Sequence, residues 1–159
     1  MQGSQDKEAC MMDYPHSFTA FARAQFLSLT TYRKSGVTVA TPVWFAFAES
    51  TGTIYFETEA QTGKVRRIRK TARVTLAACT GLGRITGPTM EARARLVNDA
   101  HEMRRAEAAL ACKYGLRRKL ASGFPTTVRK LLHKPPLQTV YLAVEPCGQT
   151  GEGSVQAEE

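Results

Sequence analysis

The segment from Thr53 to Arg73 constrains the fold most strongly, because a strand pattern passes there directly into a helix pattern. Residues 53–59 alternate in a β-rich sequence that is typical of a strand. Gln61-Thr62-Gly63 then supplies a turn and a hydroxyl suited to capping a helix. A single apolar stripe at helical spacing follows on Val65, Ile68 and Ala72. We therefore predict a strand, a tight turn and a short helix in immediate succession.

The predicted helix is strongly basic. Six of the ten residues from Lys64 to Arg73 are cationic and none is acidic. Lys64 and Arg67 share a face close to the helix start, where free backbone N–H groups and the positive end of the helix dipole also lie. Together with the Thr62 hydroxyl, this arrangement is typical of a phosphate site. A solvated basic face that keeps the protein soluble explains the composition equally well, so composition alone leaves both interpretations open.

The remaining chain predicts a small antiparallel barrel rather than a parallel sheet. Six strands are expected, joined mainly by hairpins, with helices inserted late in the chain. The strands are placed at residues 25–33, 37–48, 53–59, 74–80, 88–97 and 137–145. Further helices are expected at residues 17–24, from Asn98 or Asp99 to about Ser122, and at 126–133. Residues 16–146 would form one domain, between an N-terminus (1–15) and a tail (147–159) that we predict to be disordered.

The second predicted strand has two unlike faces. Valine and phenylalanine side chains alternate onto one face, which should be the core: Val37, Val39, Val43, Phe45 and Phe47. The other face carries small residues around one large aromatic ring: Thr38, Ala40, Pro42, Trp44 and Ala46. Pro42 removes a ladder donor in mid-strand, which predicts an edge strand or an irregular one. Such an edge either lets a flat ring approach the backbone or is an ordinary edge whose proline blocks aggregation.

The net charge of +8 is concentrated in two blocks, residues 64–73 and 104–134. Neither block carries the exposed aromatics or the recognition helix typical of nucleic-acid binding, so we expect a small anionic ligand rather than RNA or DNA. No stretch approaches the roughly 20 apolar residues of a membrane span and no signal peptide is evident, which predicts a cytoplasmic protein without membrane attachment. His16, His101 and His133 are isolated, so the catalytic residues stay unknown and no metal site is predicted.

Five segments, taken in order, resemble the pyridoxamine 5'-phosphate oxidase-like, FMN-binding split-barrel superfamily. Within it, the chain is most similar to the deazaflavin (coenzyme F-420) dependent oxidoreductases of the PPOX class. The segments are residues 27–31, 39–45, 58–73, 83–96 and 113–116. The resemblance implies a six-stranded antiparallel split β-barrel, mainly β with inserted helices. It also implies a homodimer with the cofactor at the subunit interface.

The resemblance implies a cofactor site in two parts. The ring would lie against Thr41, Pro42, Val43, Trp44 and Thr58. The phosphate would be held by Thr62 and Lys64, which flank Gly63, with help from Arg67 or Arg69. The flavin-phosphate oxidases of the family usually carry an arginine where this chain has Gly63. The chain also lacks their C-terminal Trp-Arg pair, which argues against a vitamin-B6 oxidase.

The resemblance and the charge together favour coenzyme F-420, with FMN as the alternative. The oligoglutamate tail of the deazaflavin carries several negative charges, whereas FMN offers one phosphate, and the chain has cations to spare. The predicted activity is hydride transfer to an unidentified unsaturated or quinone-like small molecule, for which the cofactor supplies the chemistry. The alternatives are an FMN-binding oxidoreductase and a non-enzymatic flavin, haem or lipid-like ligand-binding protein, because one fold can serve several functions.

Overall fold

The computed structural model describes residues 16–48, 51–115 and 138–147. A 3-10 helix at His16–Phe21 precedes seven strands and two α-helices in these ranges. The strands are β1 (Phe26–Tyr32), β2 (Thr38–Val43), β3 (Phe45–Phe47), β4 (Ile54–Glu59), β5 (Arg73–Cys79), β6 (Ile85–Leu96) and β7 (Thr139–Pro146). The helices are α1 (Gly63–Lys70), between β4 and β5, and α2 (Ala100–Tyr114), between β6 and β7.

The strands form a single sheet in the order β2-β1-β5-β6-β7-β4-β3, and all neighbours are antiparallel. The two edge strands, β2 and β3, are consecutive in the chain and are joined by Trp44 alone. Because consecutive Cα atoms are about 3.8 Å apart, the sheet must curl until its opposite edges nearly meet. The predicted mainly β, antiparallel split-barrel class is therefore confirmed, with an opening between the two edges.

The predicted count of six strands is wrong by one, because the second predicted strand is two strands. The chain crosses from one sheet edge to the other at Trp44, which divides residues 37–48 into β2 and β3. The predicted core position of Val37 is also wrong, since its side chain lies outside β2 and is 55% exposed. Ala46, assigned to the outer face, is buried. The prediction from Pro42 is confirmed, because β2 is an edge strand and ends one residue later.

The core lies inside the curled sheet and is capped by α1. Large side chains from five strands are completely buried there: Leu27, Leu29, Phe45, Phe56, Leu76 and Leu142. The predicted apolar stripe of the basic helix is confirmed at Val65 and Ile68, which are both buried. Ala72 lies beyond the end of α1 and is half-buried. Burial of this stripe directs the charged residues of α1 outward.

Helix α2 begins where the sequence predicts and ends earlier. The Asp99 carboxylate caps it by accepting the backbone N–H of Glu102 at 2.7 Å. The helix ends at Tyr114, where Gly115 takes a positive φ of 51°. The rest of the predicted helix up to residue 122, the helix at 126–133 and the two predicted disordered termini lie outside the described residues. Neither α1 nor α2 is long and apolar enough to cross a membrane.

A charged network docks α2 onto the sheet. Arg95 on β6 donates two hydrogen bonds to the Glu102 carboxylate, at 2.7 and 2.9 Å. The Tyr55 hydroxyl on β4 donates to the same carboxylate at 3.2 Å. Ala106 and Leu110, on the following turns of α2, are buried. The network therefore fixes the first turn of α2, while apolar contacts hold the middle of the helix.

Removing the Glu102 charge should destabilise the protein near neutral pH and much less in acid. The hydrogen bond from Arg95 lowers the pKa of Glu102 in the folded state. Its stabilising contribution is therefore present above the ordinary carboxylate pKa and is lost as the pH falls through the folded-state pKa. We expect Glu102→Gln to lower the free energy of unfolding by about 1 to 2 kcal/mol at pH 7. The difference from wild type should shrink towards pH 3.

Urea unfolding at several pH values measures this effect. Glu107→Gln is the matched control, because Glu107 is exposed on the same helix. Equal losses for Glu102→Gln at pH 7 and pH 3 would contradict a role for the Glu102 charge.

Candidate functional site

The opening of the barrel lies where β2 and β4 fail to pair. In the ladder between β3 and β4, Phe45 lies opposite Phe56. The same register, continued by two residues, would place Val43 opposite Thr58. The chain instead leaves for the other sheet edge at Trp44, so among the described residues Thr58 has a strand partner only on β7. Thr58 and the end of β2 therefore border one opening, and these are the two segments predicted to hold a ring.

The ring-site candidates differ in what they present to this opening. Pro42 is exposed, and Thr41 and Thr58 are half-buried. Val43 is only 5% exposed because its side chain points into the core. In the described ranges β2 pairs only with β1, so backbone N–H and C=O groups on its other edge have no strand partner. At Val43, a ligand could contact backbone groups only.

Trp44 belongs to an aromatic cluster rather than standing alone on a small-residue face. Its ring stacks on Tyr114 of α2, with the centroids 4.8 Å apart and the planes 22° apart. Phe26 of β1 approaches it edge-on at 6.2 Å. Tyr114 thus covers one face of the indole, and the half-buried Trp44 can offer a ligand only the rest of its surface.

Arg67 lies in the last turn of α1, but its guanidinium extends back to the start of the helix and is held there by a contact with β1. Its Nε donates to the Thr31 hydroxyl at 2.7 Å, and that hydroxyl donates in turn to the Val39 carbonyl at 3.3 Å. A Cβ placed on Gly63 would lie only 2.7 Å from Nη1 of Arg67. The absence of a side chain at Gly63 therefore lets the guanidinium rest against the first residue of the helix. The first backbone N–H groups of a helix have no acceptor within it, so several donors meet here.

Lys64 adds a second cation beside Arg67. Burial is the main cause that lowers its pKa, and the nearby Glu59 carboxylate opposes that shift. Its ammonium makes no hydrogen bond or salt bridge with any residue that the structure describes. Burial also lowers the pKa of Arg67, with added repulsion from Arg33 and Arg66. Several positive charges therefore lie close together at this end of the site. A bound anion would stabilise their charged forms.

Two further predicted phosphate residues are placed differently from the expectation. Thr62 occupies the N-cap position, but its hydroxyl donates to the Glu59 carbonyl at 2.9 Å and makes no capping bond. The predicted capping role of that hydroxyl is therefore wrong. Arg69 lies in the last turn of α1, roughly 9 Å along the axis from Gly63. The structure therefore brings Gly63, Lys64 and Arg67 together, and sets Arg69 apart from them.

Sequence reasoning did not identify three residues at this site: Thr31, Arg33 and Tyr114. Thr31 and Tyr114 lie in two of the segments that resemble the family. The resemblance therefore pointed to these segments, but it assigned no role to either residue. Their partners are 36 and 69 residues away in the chain, and no local pattern predicts contacts at such separations. Among the described residues, no three His, Cys, Asp or Glu side chains are grouped so that they could hold a metal ion.

The comparison with protein families agrees with this architecture. The family model for pyridoxamine 5'-phosphate oxidase matches residues 15–140. The chain belongs to this family. No curated protein is significantly similar to it in sequence.

Three solved structures have the same fold at low sequence identity. The protein Atu2129 from Agrobacterium tumefaciens, of unknown function, superposes with a TM-score of 0.54 at 18% identity, over 77% of this chain and 48% of that one. The chain thus spans about half of that protein. The heme storage protein HutZ from Vibrio cholerae gives a TM-score of 0.56 at 13% identity, over 78% and 82% of the two chains. A pyridoxamine 5'-phosphate oxidase-related, FMN-binding protein from Nostoc punctiforme gives 0.51 at 19% identity, over 82% and 75%.

Proposed function

We propose that this protein is a deazaflavin-dependent oxidoreductase that binds coenzyme F-420 and transfers hydride to an unsaturated or quinone-like small molecule. The observation that carries the proposal is the placement of Arg67. Its guanidinium is fixed by Thr31 against Gly63 at the start of α1, beside Lys64, whose ammonium makes no hydrogen bond or salt bridge with a residue that the structure describes. Cations held in this way, next to an opening in the barrel, suit the anionic end of a flavin-like cofactor.

The residues at the opening of the barrel fit both the phosphate end and the ring end of such a cofactor. Lys64, Arg67 and the first N–H groups of α1 would hold its phosphate. The free edge of β2 and the Thr58 region would accept the hydrogen-bonding rim of its ring. A single phosphate needs few cations, and each exposed cation contributes only about 1 kcal/mol. The additional charges of Arg33 and Arg66 near Arg67 therefore favour the longer acidic tail of the deazaflavin over FMN.

The protein's own part in the reaction would be binding and orientation. A bound deazaflavin or flavin supplies the hydride chemistry at its ring. The cations would fix the anionic tail, and the edge of β2 would orient the ring and shield one side of it from water. We assign no described residue the role of catalytic acid or base.

We also propose a homodimer with the ring site at the subunit boundary. The first half of β6, residues 85–91, has no buried side chain on either face. A strand segment whose side chains are mostly exposed, with Met90 partly packed against the core, suits a subunit contact. Sedimentation of the purified protein should therefore give twice the mass of the chain, and a monomer that binds cofactor with full affinity would contradict this proposal.

Titration of the purified protein with coenzyme F-420, FMN and haem tests the main proposal. We expect one deazaflavin per chain, bound at least tenfold more tightly than FMN. The preference should diminish in high salt, because screening weakens the contacts with the charged tail. Tighter FMN binding would support the FMN-dependent alternative. Preferential haem binding would support a non-enzymatic carrier on the fold shared with HutZ.

A further inference from the structure

The last turn of α2 fastens the crossover between β2 and β3. The Tyr114 hydroxyl accepts the backbone N–H of Phe45 at 2.9 Å. Its oxygen also lies 2.8 Å from the Phe45 carbonyl and 2.9 Å from the Gln25 carbonyl, to which it can donate. Burial raises the pKa of Tyr114 to about 12, so the hydroxyl keeps its proton at neutral pH. One side-chain oxygen thus lies within hydrogen-bond distance of both backbone groups of Phe45, and its single proton can be donated to the Phe45 or the Gln25 carbonyl.

Lys113 strengthens the same attachment. Its Nζ donates to the Ala24 carbonyl at 3.0 Å and lies 3.2 Å from the centroid of the Phe45 ring. The two consecutive residues of α2 therefore contact the segment that leads into β1, at Ala24 and Gln25, and the start of β3, at Phe45. Tyr114 completes the attachment by stacking on Trp44 itself.

This attachment occupies a place that a strand would fill in a closed barrel. Phe45 pairs with Phe56 of β4 on one side. On its other side, the Tyr114 hydroxyl accepts the Phe45 N–H and lies within donating distance of the Phe45 carbonyl. It takes the place of β2, which runs along the opposite sheet edge. Tyr114 therefore fixes the first residue of β3, which Trp44 alone separates from Val43 at the end of β2.

We propose that Tyr114, supported by Lys113, is the positioning residue of the cofactor-ring site, because it fixes the crossover from which the free edge of β2 is presented. Which ligand occupies the site rests on the proposed function. Tyr114 holds the backbone of the ring site in place and leaves the anion site at Lys64 and Arg67 to α1. Ring binding should consequently depend on the Tyr114 hydroxyl, whereas anion binding should not.

The first test uses the protein without any ligand. Tyr114→Phe keeps the ring that stacks on Trp44 and removes only the hydroxyl. We expect amide hydrogen exchange at Phe45 to become at least tenfold faster. Tyr55→Phe is the matched control, because it removes a buried tyrosine hydroxyl that also contacts α2, at Glu102. It should leave exchange at Phe45 unchanged. Equal exchange at Phe45 in wild type and Tyr114→Phe would overturn the proposal.

The second test separates the two ends of the site. FMN and coenzyme F-420 probe the ring and the anion together, and inorganic pyrophosphate probes the anion alone. We expect Tyr114→Phe to weaken binding of the two cofactors by about three- to tenfold and to leave pyrophosphate affinity unchanged. Lys113→Met should act in the same direction and serves as the second variant if Tyr114→Phe does not fold.

The outcomes distinguish this proposal from the proposed function. Wild-type protein that binds neither cofactor would refute the function. Wild-type protein that binds a cofactor, together with a Tyr114→Phe variant of equal affinity, would refute only the positioning role. An equal loss of cofactor affinity in Tyr55→Phe would also overturn that role, since it would trace the effect to docking of α2 in general.

Discussion

Replacing Arg67 with alanine should weaken the binding of pyrophosphate and of the cofactor by tenfold to about a hundredfold. A charge-assisted hydrogen bond contributes about 1.5 to 3 kcal/mol, and each 1.4 kcal/mol corresponds to a tenfold change in affinity. The effect should lie at the upper end, because the contact with Thr31 already orders the guanidinium and little entropy is lost on binding. Isothermal titration with pyrophosphate, FMN and coenzyme F-420 measures it directly.

Three further variants locate the effect at the start of α1. Lys64→Ala should cost about tenfold in affinity. Gly63→Ala should displace the Arg67 guanidinium and weaken anion binding, while the melting temperature stays the same or rises, because alanine is the better helix former. Lys70→Ala, an exposed cation in the last turn of the same helix, is the control and should change little. Equal small effects for Arg67→Ala and Lys70→Ala would remove the anion site from α1.

Trp44→Ala should cause a large loss of stability, roughly 2 to 4 kcal/mol in the free energy of unfolding. The indole stacks on Tyr114 and contacts Phe26, so truncation would remove the centre of the cluster that holds the crossover. Trp44→Phe keeps an aromatic ring in the cluster and should lose much less. Chemical denaturation measures both variants.

Leu82→Ala is the control for this series, because Leu82 is 99% exposed and its loss should change stability by less than about 0.5 kcal/mol. A Trp44→Ala variant with wild-type stability and weakened cofactor binding would instead make Trp44 purely a wall of the ring site. Because Trp44 is the only tryptophan, its emission reports on the crossover without interference in the wild-type protein.

Local patterns predicted the elements of this fold well where one periodicity held throughout. The strand predicted at residues 53–59 and the stripe of Val65 and Ile68 both rest on neighbours within one element, and both are confirmed. In β4, however, both faces are buried at Ile54, Tyr55 and Phe56. The crossover at Trp44 was not predicted, because Val43 and Phe45 both point into the core. The alternation of buried and exposed residues therefore continues from β2 into β3 as if they were one strand. Periodicity records the face on which a side chain lies and carries no information about which strand pairs with it.

The candidate site was predictable only in part for a similar reason. Lys64 and Arg67 followed from helical spacing and the charge of one segment, and the structure places them together. The use of the Thr62 hydroxyl depended on a competing acceptor, the Glu59 carbonyl, whose position the sequence does not reveal. Thr31 and Tyr114 act through contacts between distant segments, so their roles emerged only from the folded chain.

The place of β7 has a consequence for how the protein is made. It follows the six other described strands in chain order, yet it lies between β6 and β4 and pairs with both. Until the ribosome has released β7, the local hairpins can form, but β4 and β6 each present an unpaired edge. The nascent chain therefore passes through a stage at which its two halves cannot join, and insertion of this strand covers the open edges of β4 and β6.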